Sequence, residues 1–325
     1  MTIPWPSLHG TSLPHSIPRT DYARGVVYAT AAGVALGTLG PLSNIAYGAG
    51  MTSPTFAALR ATIGALVLCL ILATTHGECV SLSGLRKLDR ALLGLTSVAQ
   101  AALSLSIFAA YATMAVAPVL AVYFCYPLIV AGASIALGRE RLTGTRALAL
   151  AIALAGLVAV VLGGTGVSGR VSVVGLLLAG FAAACQATYL VASRAGFTRV
   201  PSQQATAVIL AGAAVLMWLV AAPIEIASGH TGAWVASPTL WIAVVVAGVL
   251  GAALAKVWML RGVRRVGGTR AAVLMLAEPV TGVLLAAVLL SQGLTGTQLA
   301  GGAAVLAGAL LAQRPAPAAT AKPRY

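Results

Sequence analysis

Residues 126–145 read YPLIVAGASIALGRERLTGT, and residues 278–297 read EPVTGVLLAAVLLSQGLTGT. Shifted by 152 positions without a gap, the two coincide at Pro127 and Pro279 and at Leu137 and Leu289. They coincide again through Leu142-Thr143-Gly144-Thr145 and Leu294-Thr295-Gly296-Thr297, and Gly156 then falls on Gly308. Alanine-rich apolar sequence produces chance identities, but a four-residue run in register with a proline reads as an internal repeat.

The chain around these stretches is built for lipid. Of its 325 residues 59% are hydrophobic and 8% charged, with a mean hydropathy of +0.97. A soluble domain carries roughly 25% charged residues, so a water-facing surface cannot be covered here. Ten apolar runs follow one another: 25–47, 54–75, 91–113, 117–138, 147–164, 172–193, 203–223, 239–260, 271–291 and 297–313. Each approaches the ~20 residues that a helix needs to cross a bilayer. The expectation is an all-α membrane protein of ten transmembrane helices. Residues 1–24 form a polar tail holding Pro4, Pro6, Pro14 and Pro18 and no apolar core of a signal peptide. Residues 314–325 form a second, Pro/Ala-rich tail.

The net charge of +14 takes its meaning from position. Seventeen of the 20 cations fall in the two tails and in alternate connections, from Arg86, Lys87 and Arg90 through Arg261, Arg264, Arg265 and Arg270. The intervening connections hold only Arg170. Positive-inside orientation then places both termini in the cytoplasm of a multi-pass plasma-membrane protein. The charge is an orientation signal, and no nucleic-acid partner is implied. A five-helix unit ends on the side opposite to its start, so its second copy is inverted. The expected domains are a first unit over 25–164 and a second over 172–313. Inverted repeats of this kind belong to alternating-access carriers, with the substrate near the midplane between the halves.

This arrangement resembles the EamA-type transporters of the drug/metabolite transporter superfamily. In that family the fourth and ninth helices carry a mid-span proline and then an apolar run ending in a glycine-rich acidic turn. Here the first copy runs from Tyr126-Pro127 to Gly138-Arg139-Glu140, and the second from Glu278-Pro279 to Gln292-Gly293. Gln292 stands where the family often has Glu, which argues for a loop-capping role of Glu140. The resemblance implies ten helices in two inverted repeats and the movement of amino acids, sugars, nucleotide sugars or cationic drugs, often by proton-linked export.

Three ionisable residues lie inside the apolar runs: Arg60, Lys256 and Glu278. Such groups are costly in hydrocarbon and should meet a partner or a wet cavity. Glu278 lies eight residues beyond Arg270, or ~12 Å along a helix, and is the one of six carboxylates placed to carry a proton at the midplane. It can equally cap a break made by Pro279, or pair with Lys256. Lys256 and Arg60 either snorkel to the two interfaces or face a cavity. The 152 shift puts Lys256 on Ser104, which belongs to a polar stripe Ser97, Gln100, Ser104 and Tyr111 on one face of the third helix. A polar stripe is unfavourable against lipid, so it is expected to line the cavity. Pro127 and Pro279 each remove the helical donor of a carbonyl four residues earlier, as hinges beside a site or as simple kinks. Tyr123, Tyr126 and Trp258 are placed to stack on a substrate, and Trp218, Trp234 and Trp241 to anchor at the interfaces. Gly33 and Gly37 form a close-packing GxxxG.

No P-loop, metal-ligand cluster or nucleophile–His–acid set occurs, and Cys69, Cys79, Cys125 and Cys185 have no metal spacing. No cofactor, no metal and no enzymatic activity are expected. The leading function is a secondary exporter of small polar metabolites such as amino acids, with proton coupling through Glu278 as a separate expectation. A cationic multidrug exporter of the same fold and a pore or lipid scramblase are the alternatives. Expected partners are a small-molecule substrate, the bilayer, protons and a second copy of the chain.

Overall fold

The computed structural model describes residues 19–76, 84–113, 116–138, 143–163, 172–229, 237–289 and 294–312. They form α1 (Arg19–Gly37), α2 (Leu39–Gly48), α3 (Ser53–His76), α4 (Lys87–Thr113), α5 (Val116–Tyr123), α6 (Tyr126–Ala136) and α7 (Gly144–Leu162). The second half holds α8 (Val173–Ala195), α9 (Ser202–Ser228), α10 (Pro238–Val246), a π-helical stretch Ala247–Leu254, α11 (Ala255–Val266), α12 (Gly268–Leu274), α13 (Ala277–Leu289) and α14 (Gly296–Ala312). Among the described residues nine helices are long and apolar enough to cross a membrane, and α14 is a shorter apolar helix. The first begins at Arg19, earlier than the polarity change at residue 25 suggests. Asp21 in its first turn complements the positive end of the helix dipole.

Four of the long apolar segments are composite. Pro41 withholds a donor from the carbonyl of Gly37, and the helix is interrupted between α1 and α2. The π-helical stretch widens the eighth segment immediately before Lys256. The other two interruptions are symmetry mates: α5 gives way to α6 at Phe124–Cys125, and α12 to α13 at Met275–Leu276. Under the 152 shift these coincide to within one residue. The Met275 carbonyl, which Pro279 leaves without its helical donor, accepts from the Glu278 N–H at 2.9 Å.

Packing repeats the symmetry that the sequence announced. α4 lies along α8 and α11 along α1, two interfaces that exchange when the halves exchange. α3 pairs with its own counterpart α9, and α7 with α14. A Cβ on Gly156 would stand 2.6 Å from the Gly301 carbonyl oxygen, and one on Gly308 2.7 Å from that of Ala149. Residues 156 and 308 are repeat mates, as are 149 and 301, so the second contact is the first seen from the other half. A local pseudo-twofold axis therefore passes between α7 and α14. The Leu-Thr-Gly-Thr run has a local task as well. Thr295 Oγ1 accepts from the Gln298 N–H at 3.2 Å while Gln298 Oε1 accepts from the Thr295 N–H at 3.1 Å, a capping box that starts α14. The first copy has Arg146 at the matching position, and Thr143 makes no side-chain cap there.

Both ends of the bundle are tied. At the basic end, Asp89 on α4 pairs with Arg86 at 3.0 Å and accepts from the Phe197 N–H at 3.1 Å. Phe197 adopts φ +38°, a left-handed conformation that costs a non-glycine residue energy. Arg264 holds that turn, donating to the carbonyls of Phe197 at 3.0 Å and Val200 at 2.9 Å and to Ser202 Oγ at 3.1 Å. Arg194 donates to the carbonyls of Val263 and Arg264. Arg261 and Arg265 stack on Tyr28, and Arg270 on Tyr22. The ends of α1, α4, α8, α9, α11 and α12 that carry the cations thus share one side.

At the other end Glu225 Oε2 accepts from Thr52 Oγ1 and Thr55 Oγ1, both at 2.6 Å. This buried carboxylate escaped the sequence reading, because it lies beyond the expected span end at residue 223. Trp218 is also placed differently from its expected interface: it packs between α9 and α3 and donates to Thr62 Oγ1 at 3.0 Å. Trp234, Glu140, Gln292 and Cys79 lie outside the described residues.

Candidate functional site

Glu278 sits at one of the two paired helix interruptions, with Lys256 on α11 and Arg60 on α3 within electrostatic reach. Glu278 opens α13 directly after the break, where α1 presses against it: a Cβ on Gly37 would meet the Glu278 carbonyl oxygen at 2.6 Å. Gly33 does the same for Met275, at 3.0 Å from its carbonyl oxygen. The GxxxG of the first helix therefore seats the ninth segment at its break, since only bare backbone permits this approach. Glu278 is partly exposed and within electrostatic reach of Lys256 and Arg60.

Lys256 is 4% exposed, too buried for its ammonium to reach an interface. Its Nζ stands 5.1 Å from the centroid of the Tyr189 ring, in cation–π range. Arg60, on α3, lies within electrostatic reach of Tyr47, Glu278 and Tyr123. Neither cation has a carboxylate within 4.0 Å among the described residues. Two positive charges and one negative charge, Lys256 buried and Arg60 and Glu278 half-buried, thus lie near one another without a direct ion pair among the described residues. This arrangement carries an excess positive charge in a low-dielectric setting, where Coulomb attraction is strong.

Aromatic rings cluster at the symmetry-related break. Tyr123 and Tyr126 lie 5.7 Å apart by ring centroid, and Phe124 packs on Tyr123 at 4.9 Å. Tyr126 is fully buried and donates to the Ala272 carbonyl on α12 at 3.4 Å. Tyr126-Pro127 and Glu278-Pro279 are repeat mates, so the two halves supply a phenol and a carboxylate from equivalent places. Pro127 is buried in the first turn of α6, and Pro279 in that of α13.

The polar stripe of α4 divides. Ser97 Oγ donates to the Leu93 carbonyl at 2.9 Å and packs on Gly212 of α9, so it serves helix packing. Gln100 Nε2 donates to Ser104 Oγ at 3.3 Å, and both are buried, with Gln100 Oε1 left without a hydrogen bond. Tyr111 lies on α4, and its side chain is outside the described residues.

A second stripe, on α8, was not anticipated. Gln186, Tyr189 and Ser193 follow one another at steps of three and four along one face, each at most 1% exposed. Their Oε1, OH and Oγ atoms have no hydrogen-bond partner among the described residues. Gln186 Nε2 lies 3.9 Å from Met259 Sδ, one turn along α11 from Lys256. Buried polar groups without partners are costly, so this row beside Lys256 stands out from the apolar packing around it. The signal was present in the sequence at the same spacing that identified the α4 stripe.

A duplicated membrane protein with an inverted repeat, all-helical among the described residues, is the class this fold defines. The EamA-like transporter family model matches residues 23–162 and again 173–313, one match per half. The chain belongs to that family, whose members are transporters and not enzymes. A crystal structure described only as that of a protein is similar in fold, with a TM-score of 0.71 and 25% sequence identity. The similarity covers 89% of this chain and 95% of the other. No curated protein sequence matches the chain.

Proposed function

We propose that this protein is a secondary active transporter that exports small polar metabolites carrying a carboxylate, amino acids among them, by alternating access. The observation that carries the reading is that Arg60 and Lys256 lie within electrostatic reach of Glu278 beside the break that opens α13, two cations to one anion. Lys256 and Arg60 attract the carboxylate of a substrate. Glu278 and the Tyr123 and Tyr126 rings receive its ammonium and apolar parts, while Gln100, Ser104, Gln186 and Tyr189 offer hydrogen bonds. On this reading the protein spans the plasma membrane ten times with both termini cytoplasmic, and Glu278 takes up and releases the coupled proton.

Purified protein in liposomes loaded with unlabelled amino acid should accumulate the labelled amino acid from outside by counterflow, and the uptake should saturate. Accumulation driven by organic cations and not by amino acids would favour the multidrug reading. Linear, non-saturating flux without counterflow would mean a pore.

A further inference from the structure

A groove of about 520 Å³ runs along the outside of the bundle between α1 and the eighth segment. Its α1 lining is one helix face, Val27, Thr30, Val34 and Thr38 among it, and Trp258 and Leu250 close the other side. From Val26 to Thr38 the lined length is ~18 Å at 1.5 Å per residue. One leaflet of hydrocarbon is ~15 Å deep, half of the ~30 Å core. The groove is therefore as long as one acyl chain.

Its basic end carries charge of the complementary kind. Arg261 and Arg265 stand one helical turn apart and both stack on Tyr28, at 5.5 and 5.3 Å from the ring centroid. Tyr28 adjoins Val27 of the groove lining. The stacked rings fix both guanidinium groups, which lowers the ordering cost of binding an anion. Arg24 nearby is paired with Asp21 at 3.7 Å, whereas Arg261 and Arg265 have no carboxylate within 4.0 Å among the described residues.

We propose that this groove binds an anionic phospholipid, its phosphate held by Arg261 and Arg265 and one acyl chain lying along Val27, Thr30 and Val34 against Trp258. The lipid lies along the outer seam of α1, which seats the broken ninth segment, and α11, which carries Lys256. It thereby couples the headgroup composition of the leaflet to the two helices beside the charged site. The proposal concerns lipid binding and does not depend on the transport reading.

Native mass spectrometry of the full chain released from micelles containing phosphatidylglycerol and phosphatidylcholine in equal amounts tests it. The wild type should retain phosphatidylglycerol preferentially. Arg261→Gln with Arg265→Gln should lower that preference by about thirtyfold, the effect of two cations near a charged bilayer surface. Arg261→Lys with Arg265→Lys should keep most of it, and so should Lys87→Gln with Arg90→Gln, exposed cations on the same side away from the groove. Thr30→Trp with Val34→Trp should displace the retained lipid by filling the groove. Equal retention of the two lipids by the wild type, or an equal loss from the Lys87/Arg90 variant, would overturn the proposal. Displacement by glycerol phosphate as effective as that by intact lipid would overturn it too, because the chain would then contribute nothing.

Discussion

Replacing Lys256 by Met separates a structural lysine from a functional one by the sign of the effect. The two side chains have similar length and volume, so packing against Tyr189 is kept. The change removes one cation–π interaction at 5.1 Å, worth ~0.5–2 kcal/mol depending on its exposure to water. It also removes a burial penalty that amounts to several kcal/mol for an ion taken out of water. No ion pair within 4.0 Å and no hydrogen bond from Nζ offsets that penalty among the described residues. Relief of the desolvation penalty outweighs the attraction to the Tyr189 ring, so Lys256→Met should be neutral or stabilising by ~1–4 kcal/mol, the range seen when buried charges yield to apolar groups. A salt-bridging lysine would instead cost ~3–5 kcal/mol when removed. Thermal unfolding of the detergent-solubilised protein, read by the monodisperse fraction after heating, gives the stability. Counterflow in liposomes gives the activity, which should fall by at least tenfold, the loss of one charged hydrogen bond to substrate of ~1.5 kcal/mol or more. A Lys256→Met protein that melts well below the wild type would refute the electrostatic reasoning. One that is stable and fully active would refute the role in binding.

Gly156→Ala and Gly308→Ala should destabilise alike, by ~1–3 kcal/mol, because each new methyl group meets backbone and not a movable side chain; Gly132→Ala, with open space at its Cβ, should be neutral in the same melting assay. Glu278→Gln should abolish uptake driven by a pH gradient while leaving counterflow measurable, and gradient-driven uptake at the wild-type rate would exclude the carboxyl as the proton carrier. Asp89→Ala should cost ~1–3 kcal/mol in melting, since the Arg86 pair is lost and the strained Phe197 turn loses its acceptor.

Whatever depended on one helix or on the repeat could be read in advance. The 152 shift located both helix breaks, because a proline removes a donor wherever it sits. The apolar runs located nearly all the helices, because lipid demands continuous hydrophobicity. Lys256, Glu278 and Arg60 stood out by cost alone. What could not be read depends on which helices meet. Arg264 looked like one of seventeen orientation charges until the Phe197 turn came within its reach. Glu225 sat past an apolar run and read as loop, whereas two threonine hydroxyls, those of Thr52 and Thr55, hold it buried. The π-helical stretch has no period of its own in eight residues of Ala, Gly, Val and Leu. The sequence alone left Lys256 between snorkelling and a cavity, because the Tyr189 ring beside its ammonium lies on another helix.

The paired glycine contacts of α7 and α14 are their own mirror image, and this bears on motion. On the alternating-access cycle proposed above, the two end states are reached by the halves trading conformations. Most interfaces become different interfaces in that trade: α1 against α11 takes on the shape that α8 against α4 had. The seam through Gly156–Gly301 and Ala149–Gly308 becomes itself. It is thus an axle, a bearing with the same geometry at both ends of the stroke. A covalent link across it, such as a cysteine pair at positions facing each other beside Gly156 and Gly301, leaves the cycle free to turn, whereas the same link between α1 and α11 stops it.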